Sequence, residues 1–413
     1  MSIGQTSTHP VTHSGAGARF SFRPWAAPFV RQLLRRLAVG RLVVHLPSGE
    51  ILSHDTQVPG PQAVIVLHRW RAMRRLLSEG DLGLAEAYIA GDWSTPDLMT
   101  VIELGARNEA ALGAALTGSW PARMASRLAH LMRPNSRGGS RRNIPAHYDL
   151  GNAFYAAWLD RGMSYSSALY TPATRTLEEA QVAKQDRVME WLDVQPGHEV
   201  LEIGCGWGGL AERLVTENEC WLTGLTLSPA QLEHAKARMR EAGIDAQTDL
   251  RLQDYRDIEG QFDRIVSIEM LEAVGTAYWP TYFEKIRALL KPGGVSVLQV
   301  ISIDEARYAA YRQGADFIQR HVFPGGMLPS IGVMREQIGR AGLALTRLET
   351  FGASYARTLA EWGGRFQATW PALSTKGFDE KFRRKWEYYL AYCEAGFRTG
   401  AIDVGFYRLE HAG

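Results

Sequence analysis

Residues 199 to 209 read Glu-Val-Leu-Glu-Ile-Gly-Cys-Gly-Trp-Gly-Gly, and the chain continues as LAERLVT. A polar turn enters a short apolar run, the run ends in glycines, and a helical pattern follows. The order is strand, glycine-rich turn, helix. At such a turn glycine lets the backbone bend sharply and approach a ligand where any Cβ would clash. Outward from it, strand-like runs at WLTGLT, LRLQD, DRIVSI and VSVLQVI are interleaved with helical runs at SPAQLEHAKARMREAG and WPTYFEKIRALL. That succession calls for an α/β fold, a parallel sheet with helices on both faces and ligands above the carboxyl ends of its strands.

The turn by itself does not name its ligand, because Gly204, Gly206 and Gly209 also satisfy a dinucleotide-binding spacing. Three later features separate the choices. A nicotinamide dinucleotide would want an acid at the end of the second strand for its ribose, yet that strand ends Leu225-Thr226-Leu227-Ser228, with Gln231 one turn on. Asp254-Tyr255 follows the third strand, a carboxylate that can accept from an exocyclic amine beside a ring that can cover adenine. Leu290-Lys291-Pro292-Gly293-Gly294 then forms a turn that recurs in class I methyltransferases. Together they favour S-adenosylmethionine in a Rossmann-like domain that begins near residue 185.

The chain of 413 residues is too long for one typical domain. PNSRGGSRRN, residues 134–143, has linker composition and no apolar periodicity, so the catalytic domain is placed at 144–413. Ahead of it, RLVVHLPSG and AVIVLHRW read as strands, and LLSEGDLGLAEAYIAGDW and DLMTVIELGARN as helices. These make residues 23–133 a small α+β domain. Residues 1–22, rich in Ser, Thr and Gly, read as a disordered lead rather than a secretory signal. Cys205, Cys220 and Cys393 have neither disulfide nor zinc spacing, which suits a reduced, cytoplasmic compartment, and no run is apolar enough to cross a membrane.

Net charge is only +2, but two stretches carry arginine without acid: Arg19, Arg23, Arg31, Arg35, Arg36 and Arg41, then Arg123, Arg127, Arg133, Arg137, Arg141 and Arg142. Beside Phe22, Trp25, Phe29, Trp120 and Leu131 they suit an amphipathic surface against anionic headgroups, at about 1 kcal/mol per basic group. A solvated helix face and linker explains the same residues equally well. The expectation is peripheral contact with the inner face of the membrane. No nucleic-acid partner is expected, and a homodimer stays open.

Around the core lie HYDLGNAFYAAWLD, MSYSSALY, LEIGCGWGGLAERL, GLTLSPAQLEHAKAR, LQDYRDI, EMLEAVG, FIQRHVFPGGMLPS, FGASYARTLAEW and WEYYLAYCEAGF. From about Gly40 to Tyr407 the chain resembles the cyclopropane fatty acid synthase and mycolic acid methyltransferase family. The segment with GDLGLAEAYIAGDW resembles the extra domain of the phospholipid-modifying members. The resemblance implies S-adenosylmethionine as methyl donor and the double bond of an unsaturated phospholipid acyl chain as acceptor. The alkene attacks the sulfonium methyl and leaves a cation to be shielded and deprotonated. A weak, neutral nucleophile of this kind depends on proximity and desolvation, since the sulfonium is already activated. The resemblance further puts Tyr165, Ser166, Gly204, Gly206, Gln231, Asp254 and Tyr255 against the cofactor, and gives Glu272 and Tyr355 the active-site glutamate and tyrosine positions.

In one region the chain departs from that family. Its cyclopropane synthases hold a bicarbonate ion, taken as the base, with a cysteine and a histidine where this chain has Ser167 and Gln299. Ala273 replaces a histidine that often follows the glutamate, and Glu269 stands where glycine is usual. Serine and glutamine still donate hydrogen bonds. An added carboxylate either repels bicarbonate or is itself the base. The product is therefore a ring or a methylated or methylene chain. Two other readings stay in view: a soluble methyltransferase of a small hydrophobic metabolite, and an inactive lipid-binding relative.

Overall fold

The computed structural model describes residues 26–113 and 150–412. The expected lead at 1–22, the linker at 134–143, and the arginines before Arg31 and from Arg123 to Arg142 lie outside the described residues. The first sheet comprises β1 (Arg41–His45), β2 (Ile51–Asp55), β3 (Gln62–Leu67) and β4 (Trp93–Ser94), in the order β2-β1-β3-β4. β1 pairs parallel with β3 and antiparallel with β2. Helices Arg71–Glu79 and Asp81–Ile89 meet at Gly80, whose φ of +67° breaks what the sequence suggests as one run. Helix Leu98–Arg107 starts where the Asp97 side chain accepts from Thr100 N at 3.0 Å.

Helix Ala26–Leu34 modifies the membrane expectation. Val30 and Leu34 are buried in the core and Phe29 packs against it, so the apolar stripe faces inward. Arg31 pairs with Glu50. Arg35 and Arg36 remain exposed just past the helix. Burying an apolar stripe in the protein removes the area that would otherwise drive insertion among lipids.

The second sheet comprises β5 (Glu199–Ile203), β6 (Trp221–Thr226), β7 (Thr248–Leu252), β8 (Phe262–Ile268), β9 (Leu290–Ile303), β10 (Leu343–Thr350) and β11 (Ile402–His411). Its order is β10-β11-β9-β8-β5-β6-β7. β5 through β9 pair in parallel, as expected, but β11 lies antiparallel between β9 and β10. The sheet is thus mixed rather than wholly parallel. β10 and β11 lie beyond the last strand read from the sequence, and four consecutive buried residues in β11, Val404 to Tyr407, hide the alternation that marks a strand. From β5 the chain winds out through β6 and β7, then returns to the other side of β5 through β8 and β9. The crevice above β5 and β8 is the switch point at which such sheets bind ligands.

Two long helices, Gly352–Ser374 and Glu380–Arg398, pack together between β10 and β11 in the chain and join the two parts of the molecule. Tyr88 OH donates to Glu387 Oε2 at 3.1 Å, and Arg384 donates to Tyr88 O at 3.2 Å. Arg307 pairs with Glu109 across the same junction. The apolar core runs without a break from Val30 of the first part to Phe406 of the second.

Candidate active site

The turn after β5 has left-handed backbone at Gly204 (φ +88°), Gly206 (φ +53°) and Gly208 (φ +83°). At Gly206 an added Cβ would meet open space, because the residue faces a cavity. Thr226 at the end of β6 donates from its hydroxyl to Gln231 Oε1 at 2.8 Å, and Ser228 caps the following helix by accepting from Gln231 N. Both Thr226 and Gln231 line the cavity, and so do Gly204, Gly206, Tyr255, Tyr165 and Ser166. Asp254 does not. Its carboxylate is gripped by Arg256, Nε to Oδ1 at 2.8 Å and Nη2 to Oδ2 at 2.6 Å, while its neighbour Gln253 takes a place in the wall.

The wall also holds polar atoms in want of a partner. Glu202 is buried, its Oε2 makes no hydrogen bond, and loss of water pushes its carboxyl up to about 7 against the pull of Lys184. Tyr255 OH is likewise buried and unbonded. Backbone open to close approach, a carboxyl that can accept, and an aromatic ring beside apolar walls fit a nucleoside carrying hydroxyls and a cationic centre. S-Adenosylmethionine has that chemistry.

Across the switch point, β8 ends in two carboxylates. Glu269 has φ +49°, a left-handed conformation that costs a side-chain-bearing residue on the order of 1–3 kcal/mol. Its Oε1 accepts from Ser167 N at 2.8 Å and from Gln299 Nε2 at 2.6 Å; its Oε2 accepts from Tyr355 OH at 2.6 Å. Burial raises its pKa, opposed first by the tyrosine, then by the Ser167 amide, Lys184 and Gln299. Glu272 is held differently. Ile301 N donates to Oε1 at 2.5 Å, and Oε2 has no partner. Desolvation, with the charge of Glu269 second, pushes Glu272 up to about 8. Both carboxylates face the cavity rather than bulk water.

The sequence places Ser167, Gln299, Glu269, Glu272 and Tyr355 near one another, and the structure brings them together. Ser167 contributes its amide; its hydroxyl turns away to donate to Ala168 O at 2.9 Å. Lys184 was not foreseen. It is 3% exposed, donates to Ser166 Oγ at 2.9 Å and has a lowered pKa through desolvation. The signal was available: in helix Leu177–Leu192 it falls in phase with the buried Leu177, Ala180, Gln181, Val188 and Trp191. A lysine on the buried face of an amphipathic helix calls for a partner.

The cavity measures about 1410 Å³ and continues from the glycine turn past the carboxylates to the first domain. There Leu82, Leu84, Trp93, Val101 and Ile102 face Phe397 and Ile402 of the second. Arg107, Arg307 and Arg320 stand among its polar lining.

Comparison with known proteins adds the following. Residues 136–406 match the family described as mycolic acid cyclopropane synthetase. The tuberculostearic acid methyltransferase of Mycobacterium tuberculosis is 38% identical, over 92% of this chain and 90% of that protein. The cyclopropane-fatty-acyl-phospholipid synthase of Escherichia coli is 35% identical, over 80% and 83%. Among solved structures, the cyclopropane synthase MmaA2 of Mycobacterium tuberculosis is 32% identical with a TM-score of 0.61, covering 65% of this chain and 97% of its own.

Proposed function

This chain belongs to the mycolic acid cyclopropane synthetase family of S-adenosylmethionine-dependent methyltransferases, and from that premise we propose that it methylates the double bond of an unsaturated acyl chain carried by a membrane phospholipid. One observation carries the reading: a single cavity joins the glycine turn to a long apolar cleft, with two carboxylates at the junction. Pockets for drug-sized ligands hold about 300–1,000 Å³. At about 1410 Å³ the space takes a methyl donor and a chain besides, which favours a lipid over a small metabolite.

When bound, S-adenosylmethionine supplies an electrophilic methyl. The chain's own residues do the rest. Gly204 and Gly206 let the donor lie against the backbone, while Thr226, Gln231, Glu202 and Tyr255 offer polar contacts along it. The apolar walls would strip water from the alkene and keep it in the same cavity as the donor, where proximity replaces nucleophilic strength. As the alkene pair forms the new carbon–carbon bond, positive charge develops on the chain. Glu272 turns an unbonded carboxyl oxygen, Oε2, toward that space and stabilises the charge through it, and the ring of Tyr355 faces the same space. Loss of a proton then ends the reaction as a ring or as a methylene or methyl-branched chain. The two relatives bear names for both kinds of product.

Purified protein given labelled methyl donor and vesicles of unsaturated phospholipid should yield labelled acyl chains, whose product mass spectrometry identifies. Label in a small soluble acceptor alone, with none in lipid, would overturn the assignment. Peripheral contact is part of the reading and is supported by the exposed Arg35 and Arg36. Replacing both with Gln should weaken binding to anionic vesicles about tenfold or more, at about 1 kcal/mol each, and added salt should shrink the difference.

A further inference from the structure

We propose that Lys184 is a positioning residue for the methyl donor: its buried ammonium sets the Ser166 hydroxyl as a hydrogen-bond donor into the cavity, and the pair receives the carboxylate of the donor's amino-acid tail. This assignment rests on the cavity as the site of S-adenosylmethionine and holds whatever the methyl acceptor is.

Ser166 is gripped at both ends by one helix. From Leu177–Leu192, Gln181 Nε2 donates to the Ser166 carbonyl at 2.9 Å, and Lys184 Nζ donates to the Ser166 hydroxyl oxygen at 2.9 Å. Gln181 and Lys184 stand three residues apart on the buried face of that helix, so one rigid element fixes both the backbone and the side chain of Ser166. An ammonium can only donate, so its bond occupies a lone pair of Ser166 Oγ and leaves the hydroxyl proton to go elsewhere. No group among the described residues accepts that proton, and Ser166 lines the cavity. The hydroxyl is therefore left for a ligand. A cation bonded to its oxygen polarises it and makes it a stronger donor to an anion.

The ammonium itself lacks a close counter-charge. Its hydrogen bond is to a neutral hydroxyl, and the carboxyls of Glu269, Asp160 and Glu202 act on it only through their longer-range charge. Two of these are engaged elsewhere. Asp160 accepts from Gly162 N at 2.7 Å and Ser164 N at 2.9 Å, and Glu269 accepts from Ser167, Gln299 and Tyr355. Glu202 is itself pushed up to about 7 by burial. Desolvation lowers the pKa of Lys184, and an arriving carboxylate opposes that shift in the same sense as the three acids do. A buried cation that is only partly compensated is costly, and an anion from the ligand completes it.

S-Adenosylmethionine carries one anionic group, the carboxylate of the tail beyond its sulfur; adenine and ribose have none. Lys184 feels the charge of both Glu202 on β5 and Glu269 past β8, which places it at the sulfur end of the cavity, away from Gln253 and Tyr255 past β7. The ligand's anion and the protein's cation thus fall at the same end. The tail's own ammonium is left to Glu202, whose Oε2 has no partner.

The test needs neither lipid nor turnover. Calorimetry compares S-adenosylhomocysteine, which keeps the tail carboxylate, with its decarboxylated analogue, which keeps the rest. The wild type should bind the first about a hundredfold more tightly, as a charge-assisted bond in a buried site warrants. Lys184→Met should shrink that preference to about fivefold or less while binding the decarboxylated analogue within about threefold of wild type, which also reports that it folds. Ser166→Ala should shrink the preference to about tenfold, and adding it to Lys184→Met should cost little more, because hydroxyl and ammonium act as one unit. A merely structural lysine would weaken both nucleosides alike, and that result overturns the proposal. So does a Lys184→Met protein that keeps the wild-type preference. Should Lys184→Met not fold, Ser166→Ala decides, and an unchanged preference there overturns the proposal. A wild type that binds the two nucleosides equally overturns the carboxylate site and leaves the donor cavity standing, whereas one that binds neither overturns both.

Discussion

The glycine turn and the tail of β8 face one another across the same crevice, yet they are assembled in opposite ways. Everything the turn offers a ligand lies within Gly204 to Gly209 and is mostly backbone. The tail of β8 gains its character from afar: the partners of Glu269 lie 102, 30 and 86 residues away in the chain. The first region is a local shape that many ligand-binding sheets share. The second is a meeting of side chains that exists only once the whole domain has folded. Binding of the donor and handling of the proton should therefore fail separately.

The sharpest way to break that division is Gly206→Val. A branched side chain at φ +53° is strained, and its Cβ enters space that faces the cavity, so donor affinity should fall more than a hundredfold in a protein that still folds. Calorimetric binding close to wild type would remove the turn from the donor site. At the other end, Glu272→Gln should lower turnover about a hundredfold, roughly 3 kcal/mol, with donor affinity changed little, as expected for an interaction made in the transition state. Tyr355→Phe removes one of the three donors to Glu269 and should cost about tenfold in rate, again without weakening the donor. If either change weakens donor binding more than it slows turnover, the two regions are not separate.

A smaller effect sharpens the contrast without any substrate. The pKa of Glu272 is raised from 4.5 to about 8 in the folded state, so the unfolded chain loses this proton first as pH rises. The associated stability is present below about pH 4.5 and is lost as pH climbs toward 8. Melting temperature should therefore decline across that window, and Glu272→Gln should flatten the decline. Parallel curves for the two proteins would show that Glu272 does not titrate there.

The same difference explains what the sequence reveals. The strand-turn-helix at 199–209 and the order of β5 to β9 follow from short-range periodicity, so both could be read directly. β11 could not, because its buried residues run together from Val404 to Tyr407 instead of alternating, and neither it nor β10 is among the strands read from the sequence. Glu269 is visible as an acid three residues before Glu272, but its bonding depends on contacts that no local pattern encodes. Asp254 shows the converse: a plausible acceptor in the sequence, it is taken up by Arg256 two residues on. Lys184 lay within reach of helical phase and asked only that a buried lysine be treated as informative.

The cavity has one more consequence. Its walls come from Leu82, Val101 and Ile102 in one domain and from Phe397 and Ile402 in the other, and the carboxylates are fixed at the end of β8. On the reading proposed above, a chain lying in that cleft reaches the carboxylates between walls supplied by both domains, so the seating of one domain on the other governs how the chain is presented. The small domain is then part of the substrate's bed. Enlarging a residue of its wall, with Val101→Trp for example, should slow turnover of long chains while donor affinity stays the same.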